Sequence, residues 1–368
     1  MTAAQRSIDE RLRARADPSG FVPFDRFMEE ALYAPGAGFY ARARSPLGPR
    51  GDFYTAAHVH PMYARTLAHR VRQAIDQLPI GRPVVIAEVG PGDGRLAAGM
   101  LREFRARPPA RADWSFRLVD RSEARASDAW EIARAAAGAD SDRVSRSHGS
   151  VGEDGPFSGV VLAHELLDAS PCRRFRWSHD RWHELGVRAV GPGWEEDARP
   201  VPDGVLLPSG NDLPDDPLVL EQQAGIDGFF REVGDHLVEG LVIVIDYGLE
   251  EAEMRSGHSL GTLASVAGHR AIDDPLERPG ENDLSVFVDW TRAKAAAQRA
   301  GLALESDRPL AQALGAWGFE GMLGEALADA RSDEERVRVQ LAAKRILFGF
   351  ERFRALEFGA GRPASGLR

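Results

Sequence analysis

The chain of 368 residues contains one cysteine, Cys172, and only two lysines, Lys294 and Lys344. A single cysteine cannot form an intrachain disulfide or a cysteine-based zinc cluster, and it favours a reducing compartment. The formal net charge is −10, which argues against a nucleic-acid-binding protein, because such a protein carries a basic patch or stripe. We therefore expect neither a disulfide scaffold nor a nucleic-acid partner.

Long apolar segments are also absent. No stretch approaches the ~18 uninterrupted apolar residues of a membrane-spanning helix, so we expect no membrane insertion. Residues 1–15 lack the apolar core of a secretory signal, and Asp9 and Glu10 argue against a mitochondrial presequence. We predict a cytoplasmic protein. The sequence does not predict its oligomeric state.

Four short, mainly apolar runs predict the strands of a parallel sheet, because strands buried on both faces have this character. They are residues 84–89, 114–120, 159–163 and 241–246. Helix-prone segments follow them, and further helices are predicted at 286–300 and 333–356. Strands that alternate with helices predict an α/β, doubly wound architecture.

The chain is predicted to divide into two parts. Residues 1–80 contain helical segments and a loop rich in Gly, Pro and aromatic residues, which predicts a helical N-terminal extension. Residues 81–368 would form the main domain. Two of its segments, at about 173–218 and 250–283, are too long for simple connections, so we predict inserted substrate-side loops there. The first of these is predicted to be rich in β-structure.

The motif EVGPGDG at residues 88–94 joins the first predicted strand to a helix. Glycines allow the backbone to turn tightly and to approach a ligand without a side chain in between. A dinucleotide fingerprint places a third small residue where this chain has Arg95, whereas acid-x-G-x-G-x-G is the pattern of class I methyltransferases. The motif therefore predicts a site for S-adenosylmethionine at Gly90, Gly92 and Gly94. A plain strand-to-helix turn is the alternative.

Two acids belong to this predicted pocket. Asp120 ends the second predicted strand, where its carboxylate would accept hydrogen bonds from the ribose hydroxyls. The alternative is a helix-start acid stabilised by the helix macrodipole. Within the class I pattern, Glu88 would hold the ammonium end of the cofactor indirectly, through backbone and water.

With these residues placed, the chain resembles the MidA-type methyltransferases, the family of the mitochondrial complex I assembly methyltransferase and its bacterial relatives. The similarity extends from about residue 24 to residue 356. It comes as ordered blocks at 31–33 with 38–40, 51–55, 88–94, 165–169, 246–248, 261–263 with His269, and 280–283.

The resemblance implies a class I seven-stranded domain and S-adenosylmethionine as cofactor. It also implies methyl transfer to an arginine of a protein substrate, known in the family for a subunit of respiratory complex I. Gly51, Asp52 and Thr55, which lie in the second block, are assigned to the cofactor by the same resemblance.

Several positions differ from the family pattern, mostly on the substrate side. Ala57, His58 and His60 stand where the family has Pro, Glu and Ser, His164 stands where it has Asn, and Ser285 stands where Thr is usual. The cofactor half therefore matches the family better than the substrate half does.

An arginine acceptor makes a particular demand, because a guanidinium stays protonated in proteins. Carboxylates can hold it by bidentate hydrogen bonds and take its proton as the methyl group arrives. Glu165 and Asp168 follow the third predicted strand and would lie on one side of a helical turn that begins there. We therefore predict both as acceptor contacts. The alternatives are a surface residue for Glu165 and a helix-start acid for Asp168.

Histidines form the competing candidate group. His58, His60 and His164 would form a base cluster if the loop at 52–60 folds over the pocket. An imidazole base suits a hydroxyl, carboxyl or amine acceptor better than a guanidinium, and His58 and His164 are candidate catalytic residues on this hypothesis. Two histidines on a loop without a placed third ligand do not predict a metal site.

The nearest alternative function is a methyltransferase of the same fold that acts on a peptide or a small-molecule O or N acceptor. Two further functions are also alternatives. A non-catalytic assembly factor would have no need of the glycine triplet with both acids. A nicotinamide-dependent dehydrogenase is disfavoured by Arg95.

Overall fold

The computed structural model describes residues 8–41, 55–80, 82–191, 193–208, 213, 217–268 and 270–361. Gly51 and Asp52, two predicted cofactor residues, and His269 lie outside these ranges.

Helices and strands alternate along much of the described chain. The α-helices are α1 (Ile8–Arg15), α2 (Phe24–Tyr33), α3 (Ala56–Val59), α4 (Pro61–Asp76), α5 (Arg95–Ala106), α6 (Glu123–Ala137), α7 (Ala224–His236), α8 (Glu251–Gly257), α9 (Trp290–Arg299), α10 (Leu310–Ala316), α11 (Phe319–Asp329) and α12 (Asp333–Phe348). A 3-10 helix covers Gly138–Arg143.

The strands are β1 (Phe21–Pro23), β2 (Val84–Val89), β3 (Trp114–Asp120), β4 (Val144–His148), β5 (Phe157–His164), β6 (Cys172–Ser178), β7 (Arg181–Val190), β8 (Gly193–Pro200), β9 (Leu218–Gln223), β10 (Leu237–Leu249), β11 (Ala264–Ala267), β12 (Arg270–Ala271), β13 (Asp283–Ser285), β14 (Val288–Asp289), β15 (Ala303–Pro309) and β16 (Phe353–Ala360).

Two compact units divide the chain. The strand-rich unit contains the described parts of Met1–Ser45, Leu167–Gly228 and Gly248–Ala293. The central-sheet unit contains the described parts of Pro46–Leu166, Phe229–Tyr247 and Lys294–Arg368. The chain passes between the units several times, and neither unit ends at residue 80.

The central sheet follows the order β15-β16-β10-β5-β2-β3-β4. Neighbouring strands from β4 to β10 along this path are parallel, and β16 runs antiparallel to both of its neighbours. The predicted α/β class is confirmed. The last two residues of β10 also pair with β14, which gives this sheet eight strands within the described ranges.

The central strands are where continuous apolar sequence predicts them. Every residue of β5 is buried, as expected for a strand covered on both faces. Tyr63, Leu67 and Val71 recur every four residues on α4, and all three are completely buried in the core of this unit. Their burial contributes roughly 1.5–3 kcal/mol for each large side chain.

The strand-rich unit is built on an antiparallel sheet in the order β1-β7-β6-β9, with β8 beside β7. A three-stranded sheet, β12-β11-β13, belongs to the same unit. The predicted β-rich segment 173–218 contains most of the first sheet, and the segment 250–283 contains α8, β11 and β12.

The C-terminal prediction was wrong in part. The predicted helix at 333–356 ends at Phe348, and Phe353–Ala360 instead forms β16 between β10 and β15. Leu, Ala and Glu in this segment favour a helix locally. The strand buries Leu356 and Phe358, and this tertiary packing overrides the local propensity. No helix in the described ranges is long and apolar enough to cross a bilayer.

Candidate active site

A glycine-rich turn connects β2 to α5. Gly90, Gly92 and Gly94 have φ angles of 70°, 57° and 74°, in a region that residues with a side chain rarely adopt. A Cβ on Gly94 would lie 2.6 Å from the carbonyl oxygen of Ala129 in α6. Glycine at position 94 therefore also permits the close approach of α6, which is a structural reason independent of any ligand.

The same turn brings three strand ends together. The Gly90 N–H donates to the carbonyl of Val119 at the end of β3, at 2.8 Å. A Cβ on Gly90 would lie 2.7 Å from Cδ1 of Leu166, which follows β5. The carboxyl ends of β2, β3 and β5 thus form one edge, the usual location of ligands in parallel α/β sheets.

Glu88 lies on β2 immediately before this turn. The residue is 2% exposed, and its Oε2 has no hydrogen-bond partner among the described residues. Burial raises the pKa of Glu88 to about 8, Asp93 adds to the increase, and a hydrogen bond from the backbone of Ala97 opposes it. Glu88 is therefore a largely neutral acid at pH 7, and Oε2 is available as an acceptor for a cationic ligand group.

Asp120 ends β3 as predicted. Its Oδ1 accepts a hydrogen bond from the Ser122 N–H at 2.8 Å, and burial raises its pKa. The N-cap of α6 is Ser122, whose hydroxyl accepts from the Arg125 N–H. Capping of α6 therefore belongs to Ser122, and the ribose contact of Asp120 stays a prediction.

His58 links α3 to the glycine-rich turn. Its Nδ1 lies 2.9 Å from the Thr55 hydroxyl, and its Nε2 lies 3.1 Å from Asp93 Oδ2. Burial opposes ionisation of Asp93, but hydrogen bonds from His58 and the Arg95 N–H lower its pKa below its ordinary value. Both ring nitrogens of His58 are thus engaged by the protein.

His60 has a local structural task. It is the N-cap of α4, and its Nδ1 accepts a hydrogen bond from the Met62 N–H at 3.2 Å. Burial lowers its pKa, and the charge of Arg65 lowers it further. His60 therefore resembles a capping residue more than a catalytic base.

His164 ends β5 and is buried. Its Nε2 lies 2.9 Å from the hydroxyl of Tyr63 and 3.5 Å from Oε1 of Glu165. Burial lowers the pKa of His164 to about 3, and the proximity of His58 contributes. The imidazole is therefore neutral over the physiological range.

The chain does not form the predicted helical turn after β5. Glu165 has a φ of 51°, and its N–H donates to the carbonyl of Ile245. The Leu166 N–H donates to Oδ2 of Asp246, which is fully buried. A left-handed residue cannot begin a right-handed helix, so Glu165 and Asp168 do not share a helix face.

Asp168 belongs to the strand-rich unit, whereas Glu165 belongs to the central-sheet unit. The Asp168 carbonyl accepts from the Val286 N–H at 3.0 Å. Burial, followed by the charges of Asp283 and Asp168, raises the pKa of Tyr40 well above its ordinary value. The carboxylates of Asp168 and Asp283 are buried, and both lie near the half-buried Tyr40.

Sequence reasoning missed four of these residues as site candidates. Tyr40, Asp246 and Asp283 lie in the blocks at 38–40, 246–248 and 280–283, so their place in the resemblance was an available signal. Tyr63 lies outside every block, and only the tertiary structure brings it to His164. In the described ranges, no group of three or more His, Cys, Asp or Glu side chains is arranged to hold a metal ion.

A parallel sheet with a glycine-rich turn after one strand and acids at the neighbouring strand ends is how α/β enzymes bind nucleoside-containing cofactors. Fold and turn together define the class I methyltransferase type. The chain belongs to a family of S-adenosyl-L-methionine-dependent methyltransferases, whose family model matches residues 66–306. The predicted resemblance and cofactor are confirmed.

Named relatives agree with this assignment. The protein arginine methyltransferase NDUFAF7 homolog of Drosophila melanogaster, named as mitochondrial, is 23% identical over 338 residues, covering 80% of this chain and 71% of that protein. Human mitochondrial protein arginine methyltransferase NDUFAF7 is 25% identical over 313 residues, covering 76% of this chain and 66% of its own length.

A solved structure covers nearly the whole chain. It is a Burkholderia thailandensis protein bound to S-adenosylhomocysteine. The two chains share 29% sequence identity with a TM-score of 0.85, over 97% of this chain and 93% of the other.

The residues present fit the cofactor. S-adenosylmethionine supplies a methyl group already activated on a sulfonium. The positive φ angles keep the turn free of side chains, Glu88 offers a buried acceptor beside it, and Asp120 closes the neighbouring strand. We predict that these groups bind the cofactor, while Gly94 also serves the packing of α6.

Proposed function

We propose that this methyltransferase transfers the methyl group to an arginine side chain of a protein substrate. The names of the relatives support this acceptor, and so does the chemistry of the site. A guanidinium is held best by carboxylates, and it gains little from an imidazole base.

The state of the histidines carries the proposal. His58 is bound at both ring nitrogens, His60 caps α4, and His164 is neutral against Tyr63. A histidine base that titrates between pH 6 and 7 is therefore not supported at His164. Glu165, a carboxylate, lies at the carboxyl end of β5. Its presence favours an arginine acceptor over a hydroxyl, carboxyl or amine acceptor.

Glu165 would act on the acceptor in two ways. Its carboxylate would orient the guanidinium by charge-assisted hydrogen bonds, and it would take the proton released as the methyl group arrives. The left-handed backbone of Glu165 supports this role, because strained residues persist at functional sites when the surroundings hold them. Asp168 remains the second predicted acceptor contact.

The partner and the compartment are part of the proposal. We propose a protein substrate, with a subunit of a respiratory complex as the first candidate. The single cysteine favours the cytoplasm, whereas the named relatives are mitochondrial. Fractionation of host cells with an antibody against the chain would decide the compartment.

The test is a comparison of Glu165→Gln with His60→Asn. Glutamine keeps the shape of Glu165 but removes its charge, and asparagine keeps the capping oxygen at position 60. With isotope-labelled S-adenosylmethionine and an extract of host cells lacking the gene, Glu165→Gln should reduce methyl incorporation by about 100-fold or more. His60→Asn should reduce it far less, and S-adenosylhomocysteine affinity should change little in either variant.

Mass spectrometry then identifies the acceptor residue. Methylation that depends on the gene and falls on arginine supports the proposal. Full activity in Glu165→Gln, or gene-dependent methylation confined to other residue types, would overturn it.

A further inference from the structure

Tyr63 and His164 form a buried pair that the reaction described above does not use. Tyr63 lies on α4 and is completely buried in the core of the central-sheet unit. Its hydroxyl is 2.9 Å from Nε2 of His164, and the two rings lie 5.6 Å apart at 58°. The distance is that of a good hydrogen bond.

The direction of this bond follows from the protonation of its partners. Burial, with the charge of Glu165 adding to it, raises the pKa of Tyr63 well above its ordinary value, so the phenol keeps its hydrogen. His164 is neutral, since its pKa is lowered to about 3 by burial and then by His58. A neutral imidazole has one donor nitrogen and one acceptor nitrogen.

Only one position of the His164 ring hydrogen leaves an acceptor for the hydroxyl of Tyr63. If Nε2 carried the hydrogen, Tyr63 would have no described acceptor for its own hydrogen, which is costly for a buried hydroxyl. Tyr63 therefore donates to Nε2, and the ring hydrogen of His164 is on Nδ1. No hydrogen bond of Nδ1 is present among the described residues. Its N–H is therefore not used by the described part of the protein, and it belongs to the residue that ends β5.

We propose that Tyr63 fixes His164 as the Nδ1–H tautomer, so that His164 serves the site as a neutral hydrogen-bond donor and not as a base. Tyr63 is then a positioning residue. The charged or titratable groups that face His164 are Tyr63 on α4, His58 on α3 and its chain neighbour Glu165. The role of this donor toward the methyl acceptor rests on the proposed function, but the tautomer does not.

The first test reads the tautomer directly. In protein with 15N-labelled histidine, NMR of the full chain reports which ring nitrogen carries hydrogen, and His164→Asn identifies the signals. We expect hydrogen on Nδ1, a bare Nε2, and no titration between pH 5.5 and 8.5. Hydrogen on Nε2, or titration near the ordinary histidine pKa of ~6.5, would overturn the proposal.

Tyr63→Phe is the matched variant, because it removes only the hydroxyl and keeps the ring in the core. Without the phenolic donor, Nε2 loses its fixed acceptor role, and we expect the ring hydrogen to redistribute toward Nε2. An unchanged tautomer in a folded Tyr63→Phe variant would show that Tyr63 does not set it.

The second test shows whether His164 acts as a hydrogen-bond donor or as a base. The nitrogen of an asparagine amide is attached to Cγ, as Nδ1 of histidine is, so His164→Asn keeps a donor whereas His164→Ala loses it. We expect His164→Ala to lower turnover by roughly 10-fold, the worth of one hydrogen bond, and His164→Asn to lower it less. An equally large loss of turnover in both variants would indicate that His164 acts as a base. If Glu165→Gln loses activity but His164 carries its hydrogen on Nε2, this inference is wrong and the arginine proposal is still supported.

Discussion

Among single residues, Glu88 should make the stability of the protein depend on pH. Its folded pKa of about 8 lies above the ordinary value of 4.5 because the carboxyl is buried. Between these values the carboxyl is ionised in the unfolded chain and protonated in the folded chain, so the contribution of Glu88 to stability falls as pH rises. The slope for one such group approaches about 1.4 kcal/mol per pH unit and levels off above pH 8.

We predict that the unfolding free energy of the cofactor-free protein decreases between pH 7 and 8, above the range in which the lowered pKa of His164 has the opposite effect, and that Glu88→Gln removes most of this decrease. Urea denaturation at a series of pH values measures both. If wild-type stability is constant over this range, the carboxyl of Glu88 is not a buried acid with a raised pKa.

Asp120 gives a second test at the residue scale. If its carboxylate accepts hydrogen bonds from the ribose, Asp120→Ala should weaken S-adenosylhomocysteine binding by about 1.5–3 kcal/mol, or roughly 10- to 150-fold. Asp120→Asn keeps an acceptor for the Ser122 N–H, which separates the local turn from the ligand contact. Calorimetric titration measures the affinities, and unchanged binding in both variants would leave Asp120 a purely structural acid.

At the scale of elements, the glycine-rich turn combines a left-handed backbone with access for a ligand. Gly92 has a φ of 57°, and Gly191, in the strand-rich unit, has a φ of 56° with no atom near its missing Cβ. Alanine at either position should cost about 1–2 kcal/mol of stability. Only Gly92→Ala should also weaken S-adenosylhomocysteine binding, because only there would the methyl group meet the cofactor.

Thermal melts and calorimetric titration of Gly92→Ala and Gly191→Ala check this prediction. Gly191→Ala is the control, because it measures only the loss of stability caused by a side chain at a left-handed position. If the two variants lose stability equally and both keep full affinity, the turn does not lie against the cofactor.

The segment after β5 shows how one element depends on another. A helical turn was expected from the spacing of Glu165 and Asp168. Instead, Ile245 and Asp246 of β10 accept the N–H groups of Glu165 and Leu166. Sequence spacing gives no information on a partner strand some 80 residues away, and for that reason the prediction failed.

At the scale of the whole molecule, ligand binding should raise stability by mass action. The predicted cofactor residues that the structure describes all belong to the central-sheet unit, so the unfolding transition that includes this unit should shift. At 100 times its dissociation constant, S-adenosylhomocysteine should add about 2.7 kcal/mol. NADH at equal concentration should add nothing. Scanning calorimetry measures both, and a comparable shift with NADH would contradict the cofactor assignment.

Much of this protein was determined by local sequence. The strands at 84–89 and 114–120 have the bounds that their apolar runs predict. The same holds for the start of α5 after the glycines and for the acid that ends β3, since glycines, caps and apolar runs act within a few residues. These short-range features were sufficient to predict the α/β class and the cofactor.

Only the tertiary structure decided the chemistry around the acceptor. The neutrality of His164 depends on burial and on the nearby His58. Its hydrogen-bond partner Tyr63 lies 101 positions earlier in the chain. Phe353–Ala360 is a strand because β10 and β15 lie on either side of it. Protonation and strand pairing depend on which distant groups surround a residue, and folding alone sets those surroundings.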